Sequence, residues 1–177
     1  MMKMKPWTTN HSPMKQITHS IHYQEYDSVE ELAPRDRELF DRAREAVGGS
    51  YAPYSHYHVG AAVRMANGKV ATGSNQENMS FPAGLCAERV AVFSAASSNP
   101  GVAVTDIAIT AKAEAFEVNE PVPPCGMCRQ AIVEYEMKFN QPIRLILGGD
   151  QGKIFIFEGM RSLLPLAFHE DGLTRKK

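Results

Sequence analysis

Three stretches of the chain carry the hydrophobic spacing of helices. Between residues 35 and 47, Leu39, Phe40 and Ala43 recur at intervals of one helical turn, and Gly48 and Gly49 then end the pattern. Residues 85–98 are rich in Ala, Val and Phe, which predicts a buried helix. A third helix is predicted from residue 125 to about residue 139.

Shorter apolar runs alternate with these helices and predict strands. The Asn67-Gly68 pair is typical of a hairpin turn, so the runs on either side of it should be antiparallel. The resulting order, β-β-α-β-α-β-β, predicts an α/β protein in which helices cover a sheet. The predicted strands are residues 59–65, 70–74, 105–111, 143–147 and 153–157.

The first 34 residues have little hydrophobic period and are predicted to be a partly ordered N-terminal extension. A contact between subunits is the alternative interpretation of this segment. Within it, residues 28–31 (SVEE) resemble a capping box and predict a short helical turn. Residues 35–177 form the predicted catalytic domain.

Composition narrows the class of protein. A chain of 177 residues fits one domain, and its formal net charge of -1 gives no electrostatic reason to expect a nucleic-acid or membrane partner. No apolar run approaches the roughly 18 residues of a membrane span, and no apolar core follows the basic start, so a secretory signal is not expected. These features make the cytoplasm the expected location.

The chain has only three cysteines, and an odd number cannot form a closed set of disulfides. In a reducing compartment such thiols are metal ligands, nucleophiles or buried apolar groups. They occur in two motifs, Cys86-Ala87-Glu88 and residues 124–128 (PCGMC), and each motif opens a predicted helix. The free N–H groups at a helix start favour a thiolate there.

The spacing of these cysteines indicates a catalytic metal rather than a structural one. Cys125 and Cys128 lie on one face of a helical turn, and Cys86 can join them if both helix starts point at the same place. Three sulfur ligands leave the fourth position of zinc open, as catalytic sites require. Glu88 lies two residues beyond Cys86, where an uncoordinated carboxylate can move protons.

Three other interpretations of these motifs are weaker. A structural zinc site would need a fourth ligand from His56, His58 or His169, none of which lies at close ligand spacing. A redox C-x-x-C motif would leave Cys86 and Glu88 unexplained. A zinc module that mediates assembly would bind the metal without catalysing a reaction.

Five stretches together resemble the small, homotetrameric cytidine deaminases, and the resemblance covers roughly residues 35–168. It implies a three-layer α/β/α sandwich around a five-stranded mixed sheet, one Zn²⁺ per subunit, and hydrolytic deamination of cytidine or deoxycytidine in pyrimidine nucleoside salvage. The stretches are residues 52–62 (APYSHYHVGAA), 75–78 (NQEN), 86–89 (CAER), 124–130 (PCGMCRQ) and 163–168 (LLPLAF).

The resemblance also implies roles for individual residues. Cys86, Cys125 and Cys128 match the family's zinc ligands, and Glu88 matches its general acid/base. For substrate binding it implies Asn75 and Glu77 at the ribose 3′-hydroxyl, and Tyr57 and Ala87 beside the pyrimidine. It also implies that Arg89 donates hydrogen bonds to the thiolates.

Two aromatic residues match positions that reach a neighbouring subunit's active site in family tetramers. Phe168 matches a C-terminal phenylalanine that packs over the adjacent site, and Phe81 stands where tyrosine is frequent, without the hydroxyl. His58 stands where proline is common, and Tyr57 where phenylalanine is usual. The consequence of these departures is left open by the sequence.

Two related activities remain as alternatives. Blasticidin-type deaminases share the zinc motif but lack the ribose motif found at residues 75–78. Polynucleotide deaminases flip a base into the site and usually need a basic channel, which the near-neutral charge of this chain disfavours.

Overall fold

A mixed sheet forms the centre of the molecule in the computed structural model, which describes residues 14–170. Six strands pair in the order β1-β6-β5-β4-β2-β3, and only β4 and β5 run parallel. The strands are β1 (Gln24–Tyr26), β2 (Tyr57–Met65), β3 (Val70–Ser74), β4 (Val104–Ala113), β5 (Arg144–Gly148) and β6 (Ile154–Phe157).

Alternate side chains of the central strands enter two separate cores. Ala61, Ile107 and Leu145 pack with helices α2 (Ala87–Ser98) and α3 (Gly126–Phe139) on one face of the sheet. Their neighbours Ala62, Ala108 and Ile146 pack with helix α1 (Pro34–Ala46) on the other face. Because successive strand residues point to opposite faces, the sheet is covered on both sides, and the predicted α/β/α sandwich is confirmed.

The sheet has one strand more than the sequence predicts. The extra strand, β1, lies in the N-terminal extension and pairs antiparallel with β6. Tyr23 beside it packs against Phe155 in a tilted arrangement and stacks on Phe157, with ring centroids 4.6 and 5.2 Å away. The prediction of five strands is wrong by one because the three residues of β1 (QEY) show no hydrophobic alternation. They become a strand by pairing with the edge strand β6.

The rest of the extension is described only in part. The predicted short helical turn is present at Val29–Glu31, and Val29 and Leu32 are buried against α1. The Ser28 side chain does not cap this turn; the Glu31 carboxylate instead accepts a hydrogen bond from the N–H of Asp27. Residues 1–13 of the predicted extension, and 171–177 of the predicted domain, lie outside the described residues.

Helix α2 lies unusually close to strand β3, and this contact positions the first cysteine motif. A methyl group added at Gly73 would come within 2.5 Å of the Ala91 nitrogen and 2.7 Å of the Ala87 carbonyl oxygen. Only glycine permits this approach of helix and strand backbone. The start of α2, with Cys86 and Glu88, is thereby fixed near the end of β3.

No helix in the described part of the chain is long and apolar enough to cross a membrane.

Candidate metal centre and active site

Three sulfur atoms meet where α2 and α3 begin. Cys86 and Cys125 are the residues that immediately precede the two helices, both in extended conformation, and neither side chain caps its helix. Cys128 lies in the first turn of α3 and is fully buried. The predicted convergence of the two helix starts is therefore present, and the positive ends of both helices face the sulfurs.

The sulfur geometry fits a tetrahedral metal ion. The Cys86 and Cys125 Sγ atoms are 3.9 Å apart, the Cys125 and Cys128 Sγ atoms are 3.5 Å apart, and all three lie within 4.8 Å of one another. Two thiolates bound to zinc at about 2.3 Å in tetrahedral geometry would be separated by about 3.8 Å. The donor set present is thus one that zinc prefers.

Without a cation, Cys86 and Cys128 do not ionise together. A hydrogen bond from Cys128, aided by Arg89 and Cys125, lowers the pKa of Cys86 to about 5. The same bond to the Cys86 thiolate, together with burial, raises the pKa of Cys128, which keeps its proton. A divalent cation would stabilise all three in the thiolate form, so the cluster is built to bind one.

No histidine completes a fourth ligand position in the described part of the chain, where the cluster consists of the three cysteines alone. His56 and His58 instead contact Glu114, at 3.3 and 3.1 Å. The arrangement therefore has the three protein ligands of a catalytic zinc site rather than the four of a structural one.

Glu88 projects from the first turn of α2 toward the sulfur cluster, and it is 5% exposed. Burial, together with the negative charge of Cys86, raises the pKa of its carboxyl group to about 7. It also interacts with the Cys128 thiol but is not a member of the three-atom cluster. A carboxyl group with this pKa can both accept and donate a proton near neutral pH.

The guanidinium of Arg89 lies beside the Cys86 and Cys128 sulfurs, and their hydrogen bonds and negative charge raise its pKa against the effect of burial. It also donates to the carbonyl oxygen of Gly84 at 3.5 Å, while its Nε is buried without a partner in the described structure. Arg89 therefore lies where it can donate hydrogen bonds to two of the three sulfurs.

A cavity of about 940 Å³ opens in front of the cluster. This volume lies near the upper end of the range of about 300–1,000 Å³ that small-molecule sites occupy. Tyr57 lines it from the start of β2, with its ring stacked on Phe116 at 6.2 Å. Its other lining residues include Cys86, Glu88, Arg89, Cys125, Met127, Asn75, Glu77 and Phe81.

Asn75 lines this cavity and also ties β2 to the end of β3. Its Oδ1 accepts a hydrogen bond from the N–H of Val59 at 2.8 Å, and its Nδ2 donates to the carbonyl oxygen of Tyr57 at 2.9 Å. A side-chain amide has two N–H donors, so one remains for a ligand. Asn75 therefore has a structural role that the sequence did not indicate, in addition to its place in the cavity.

Two backbone amides hold the Glu77 carboxylate in place, and one side chain assists them. Its Oε2 accepts hydrogen bonds from the N–H groups of Tyr54 at 2.9 Å and Ser55 at 3.2 Å. Hydrogen bonding from the Ser55 side chain, with these amides, keeps the pKa of Glu77 below its usual value. The sequence predicts no role for Tyr54 or Ser55, because almost any residue type can supply a backbone N–H donor.

Three other predicted residues take different places. Ala87 is fully buried and is not among the residues that line the cavity. Phe81 lines it and is 75% exposed. Phe168, 71% exposed, lies outside the lining, and its backbone pairs with the Gln130 side-chain amide through two hydrogen bonds of 3.0 and 3.1 Å. The motif PCGMCRQ thus also holds the C-terminal segment, through its last residue.

Comparison with known proteins agrees with this geometry. Residues 33–140 match the cytidine and deoxycytidylate deaminase zinc-binding region. A cytidine deaminase from Halalkalibacterium halodurans is 40% identical over 136 residues, covering 77% of this chain and 96% of the relative. A blasticidin-S deaminase from Bacillus cereus is 32% identical over 140 residues, covering 77% and 94%.

A solved structure gives the same result. The crystal structure of cytidine deaminase from Burkholderia pseudomallei superposes with a TM-score of 0.65 and 34% identity, over 77% of this chain and all of that one. Sequence, fold and sulfur geometry agree, and the chain belongs to the cytidine deaminase family, hydrolases that act on carbon–nitrogen bonds.

Proposed function

We propose that this protein catalyses the hydrolytic deamination of cytidine and deoxycytidine to the uridine products and ammonia. The observation that carries the proposal is a cluster of three sulfurs, all within 4.8 Å, beside a buried carboxyl group at the end of a ligand-sized cavity. Membership of the family supplies the substrate class.

Cys86, Cys125 and Cys128 would hold one Zn²⁺ per subunit. When bound, zinc lowers the pKa of water so that hydroxide is available near neutral pH. Three thiolates leave the centre with a formal charge of -1, and Arg89, beside the sulfurs, withdraws part of that charge. The N-termini of α2 and α3 act in the same direction.

Glu88 would carry the protons. It accepts one proton from the attacking water and delivers it to N3 of the cytosine ring, while the new C–O bond forms at C4. It then transfers the second proton of that water to the amino group, so that the C4–N bond breaks and ammonia leaves. A pKa of about 7 lets one side chain perform both steps.

Asn75 and Glu77 would bind the ribose 3′-hydroxyl. Glu77 supports this role because its lowered pKa keeps it an ionised acceptor, fixed by two backbone amides. Asn75 supports it through the donor that remains beside its contacts with β2. Tyr57, which lines the cavity, would stack near the pyrimidine, and Ala87, between Cys86 and Glu88 at the start of α2, would approach the ring from there.

We further propose a homotetramer in the cytoplasm that acts in pyrimidine nucleoside salvage. The family resemblance supports assembly, because Phe81 and Phe168, both exposed, match positions that reach a neighbouring subunit in family tetramers. Three reduced thiols at the site agree with a reducing compartment. Light scattering of the purified protein, with Phe168→Ser as the variant, measures the oligomeric state; a monomeric wild-type protein would reject this assembly.

The decisive experiment measures metal content and ammonia release on the same preparation. We expect about one zinc per chain and ammonia from cytidine and deoxycytidine, with activity lost on chelation and restored by Zn²⁺. Protein that binds zinc and releases no ammonia would be a non-catalytic zinc module. Blasticidin S belongs in the substrate panel because of the similar Bacillus cereus enzyme, and exclusive turnover of that compound would replace the proposed substrate.

A further inference from the structure

The position of the Glu77 carboxylate depends on a loop that binds it mainly through backbone amides. The two amides that bind its Oε2 belong to Tyr54 and Ser55, in the segment between Ala52 and the start of β2 (the 52–56 loop). A shift of this loop would move both donors together. Whatever fixes the 52–56 loop therefore orients Glu77.

The loop ends in a backbone conformation that must be supported from outside. His56 has a φ of 52°, in the left-handed region that residues other than glycine seldom adopt. Its N–H donates to the carbonyl oxygen of Ala52 at 3.0 Å, and its own carbonyl oxygen accepts from the N–H of Glu114 at 3.2 Å. Glu114, directly after β4, thus holds the strained residue through its backbone.

The Glu114 side chain adds two further contacts, which together form the Glu114 bridge. Its Oε2 lies 3.3 Å from Nδ1 of His56, and its Oε1 lies 3.1 Å from Nε2 of His58. The other nitrogen of His58 lies 2.6 Å from the Ser50 hydroxyl. If that hydroxyl donates to Nδ1, the proton on Nε2 is donated to Glu114, and a neutral ring is satisfied at both nitrogens.

The two histidines flank Tyr57, so the bridge encloses the stretch of backbone that borders the cavity. The hydrogen bond from His58, with the charge and hydrogen bond of His56, lowers the pKa of Glu114, which is a carboxylate at neutral pH. Glu114 itself is not among the residues that line the cavity. Any effect on substrate must therefore pass through the groups that it holds.

We propose that Glu114 is a positioning residue for nucleoside binding: by holding His56 and His58 it fixes the 52–56 loop, whose amides orient Glu77 toward the ribose 3′-hydroxyl. This inference rests on the proposed function, in which Glu77 receives that hydroxyl. The bridge acts on substrate affinity and leaves the sulfur cluster and Glu88 unaffected, since it contacts neither.

The test compares Glu114→Ala with Glu117→Ala on cytidine and on 3′-deoxycytidine, which lacks the hydroxyl. Glu117 is the matched control: it is exposed on the same loop and accepts a hydrogen bond from Asn119, away from the 52–56 loop. We expect Glu114→Ala to raise KM for cytidine about three- to tenfold, the equivalent of one or two hydrogen bonds, with kcat unchanged. Its KM for 3′-deoxycytidine, and both constants of Glu117→Ala, should equal those of wild type.

A Glu77→Ala variant, measured on the same pair of substrates, tests the ribose contact of Glu77 separately from the positioning role of Glu114. If Glu77→Ala removes the discrimination between cytidine and 3′-deoxycytidine while Glu114→Ala preserves it, Glu77 binds the ribose and the positioning role of Glu114 is overturned. If Glu77→Ala preserves the discrimination, the ribose contact itself is wrong, and the inference fails with it.

A purely structural bridge predicts a different pattern. Glu114→Ala would then lower the melting temperature, or raise KM equally for both substrates, and either result without the cytidine-specific change would overturn the proposal. Glu114→Gln retains an acceptor for His58 but presents its amide nitrogen to His56, so its KM for cytidine should lie between those of wild type and Glu114→Ala. It also provides the measurement if the alanine variant does not fold.

Discussion

Both ends of the central sheet bury charged side chains, but they neutralise them in different ways. At the end where β4 begins, the Asp106 side chain is 2% exposed and pairs with Arg35 at 2.8 Å and Arg144 at 3.1 Å. Arg144 also makes two hydrogen bonds to Asp36, of 2.9 and 3.0 Å. Each carboxylate there faces a guanidinium, so the buried charges are paired within the chain.

At the opposite end, where β2 starts and β3 finishes, acidic groups outnumber cations. Three thiols and the Glu88 carboxyl lie together there, and the guanidinium of Arg89 interacts with them. The protein limits the charge by shifting pKa values apart, lowering that of Cys86 to about 5 and raising that of Glu88 to about 7. The comparison indicates that a buried cluster whose charges pair within the chain is structural. A cluster with shifted pKa values and unpaired acidic groups can instead bind an external cation and transfer protons.

The variant with the largest expected effect on this comparison is Glu88→Gln. The amide keeps the size of the side chain but cannot exchange a proton, so kcat should fall by between about 100-fold and 10,000-fold. Zinc content, measured by atomic absorption, should remain near one per chain, because Glu88 is not a member of the sulfur cluster. Activity equal to that of wild type would reject the proton-transfer role, and loss of metal would show that Glu88 is a ligand.

Asp106→Ala tests the end with paired charges. Removing this carboxylate leaves the buried Arg64, 7% exposed, and Arg144 without their shared partner. We expect the free energy of unfolding to decrease by about 3–5 kcal/mol, the typical cost of breaking a buried pair. Urea denaturation measures this loss, and kcat per folded molecule should stay unchanged because the substitution lies at the far end of the sheet from the cavity.

Asp41→Ala is the control for this prediction. Asp41 lies about half exposed on α1, 4.0 Å from Arg37, and such surface pairs contribute at most about 1 kcal/mol. Equal destabilisation by the two substitutions would mean that the Asp106 cluster is no more than a surface network. A large loss of kcat in Asp106→Ala would contradict the division of the sheet into a structural end and a reactive end.

The sequence was most informative where chemistry depends on local spacing. Cys125 and Cys128, three residues apart, and Glu88, two residues beyond Cys86, lie in the first turns of helices, so their relative positions follow from helix geometry. The hydrophobic pattern also predicts most of the fold. Ala61 and Ala62 point to opposite faces of the sheet, and Gly73 allows helix α2 to pack closely on strand β3.

The parts that the sequence did not predict depend on distant partners. Strand β1 forms because β6 offers an unpaired edge, and its three residues carry no pattern of their own. The amides of Tyr54 and Ser55 bind Glu77 across 22 to 23 residues of chain, and Glu114 reaches His58 across 56. Backbone donors and single exposed carboxylates give no residue-type signal, so only the folded structure brings these groups together.

The smallest expected effect concerns Tyr57, which borders the reactive end without charge. Burial raises the pKa of its phenol, so the hydroxyl stays neutral, and the described structure gives that hydroxyl no hydrogen-bond partner. Tyr57→Phe keeps the ring stacked on Phe116, so kcat/KM for cytidine should change by less than about threefold, the equivalent of well under one hydrogen bond. Tyr57→Ala removes the ring, and stacking of a base on an aromatic side chain contributes about 1–3 kcal/mol, so a loss of at least fivefold is expected. A tenfold loss in Tyr57→Phe would mean that the hydroxyl contacts the substrate, and the reactive end would then include a polar group that the charge comparison does not detect.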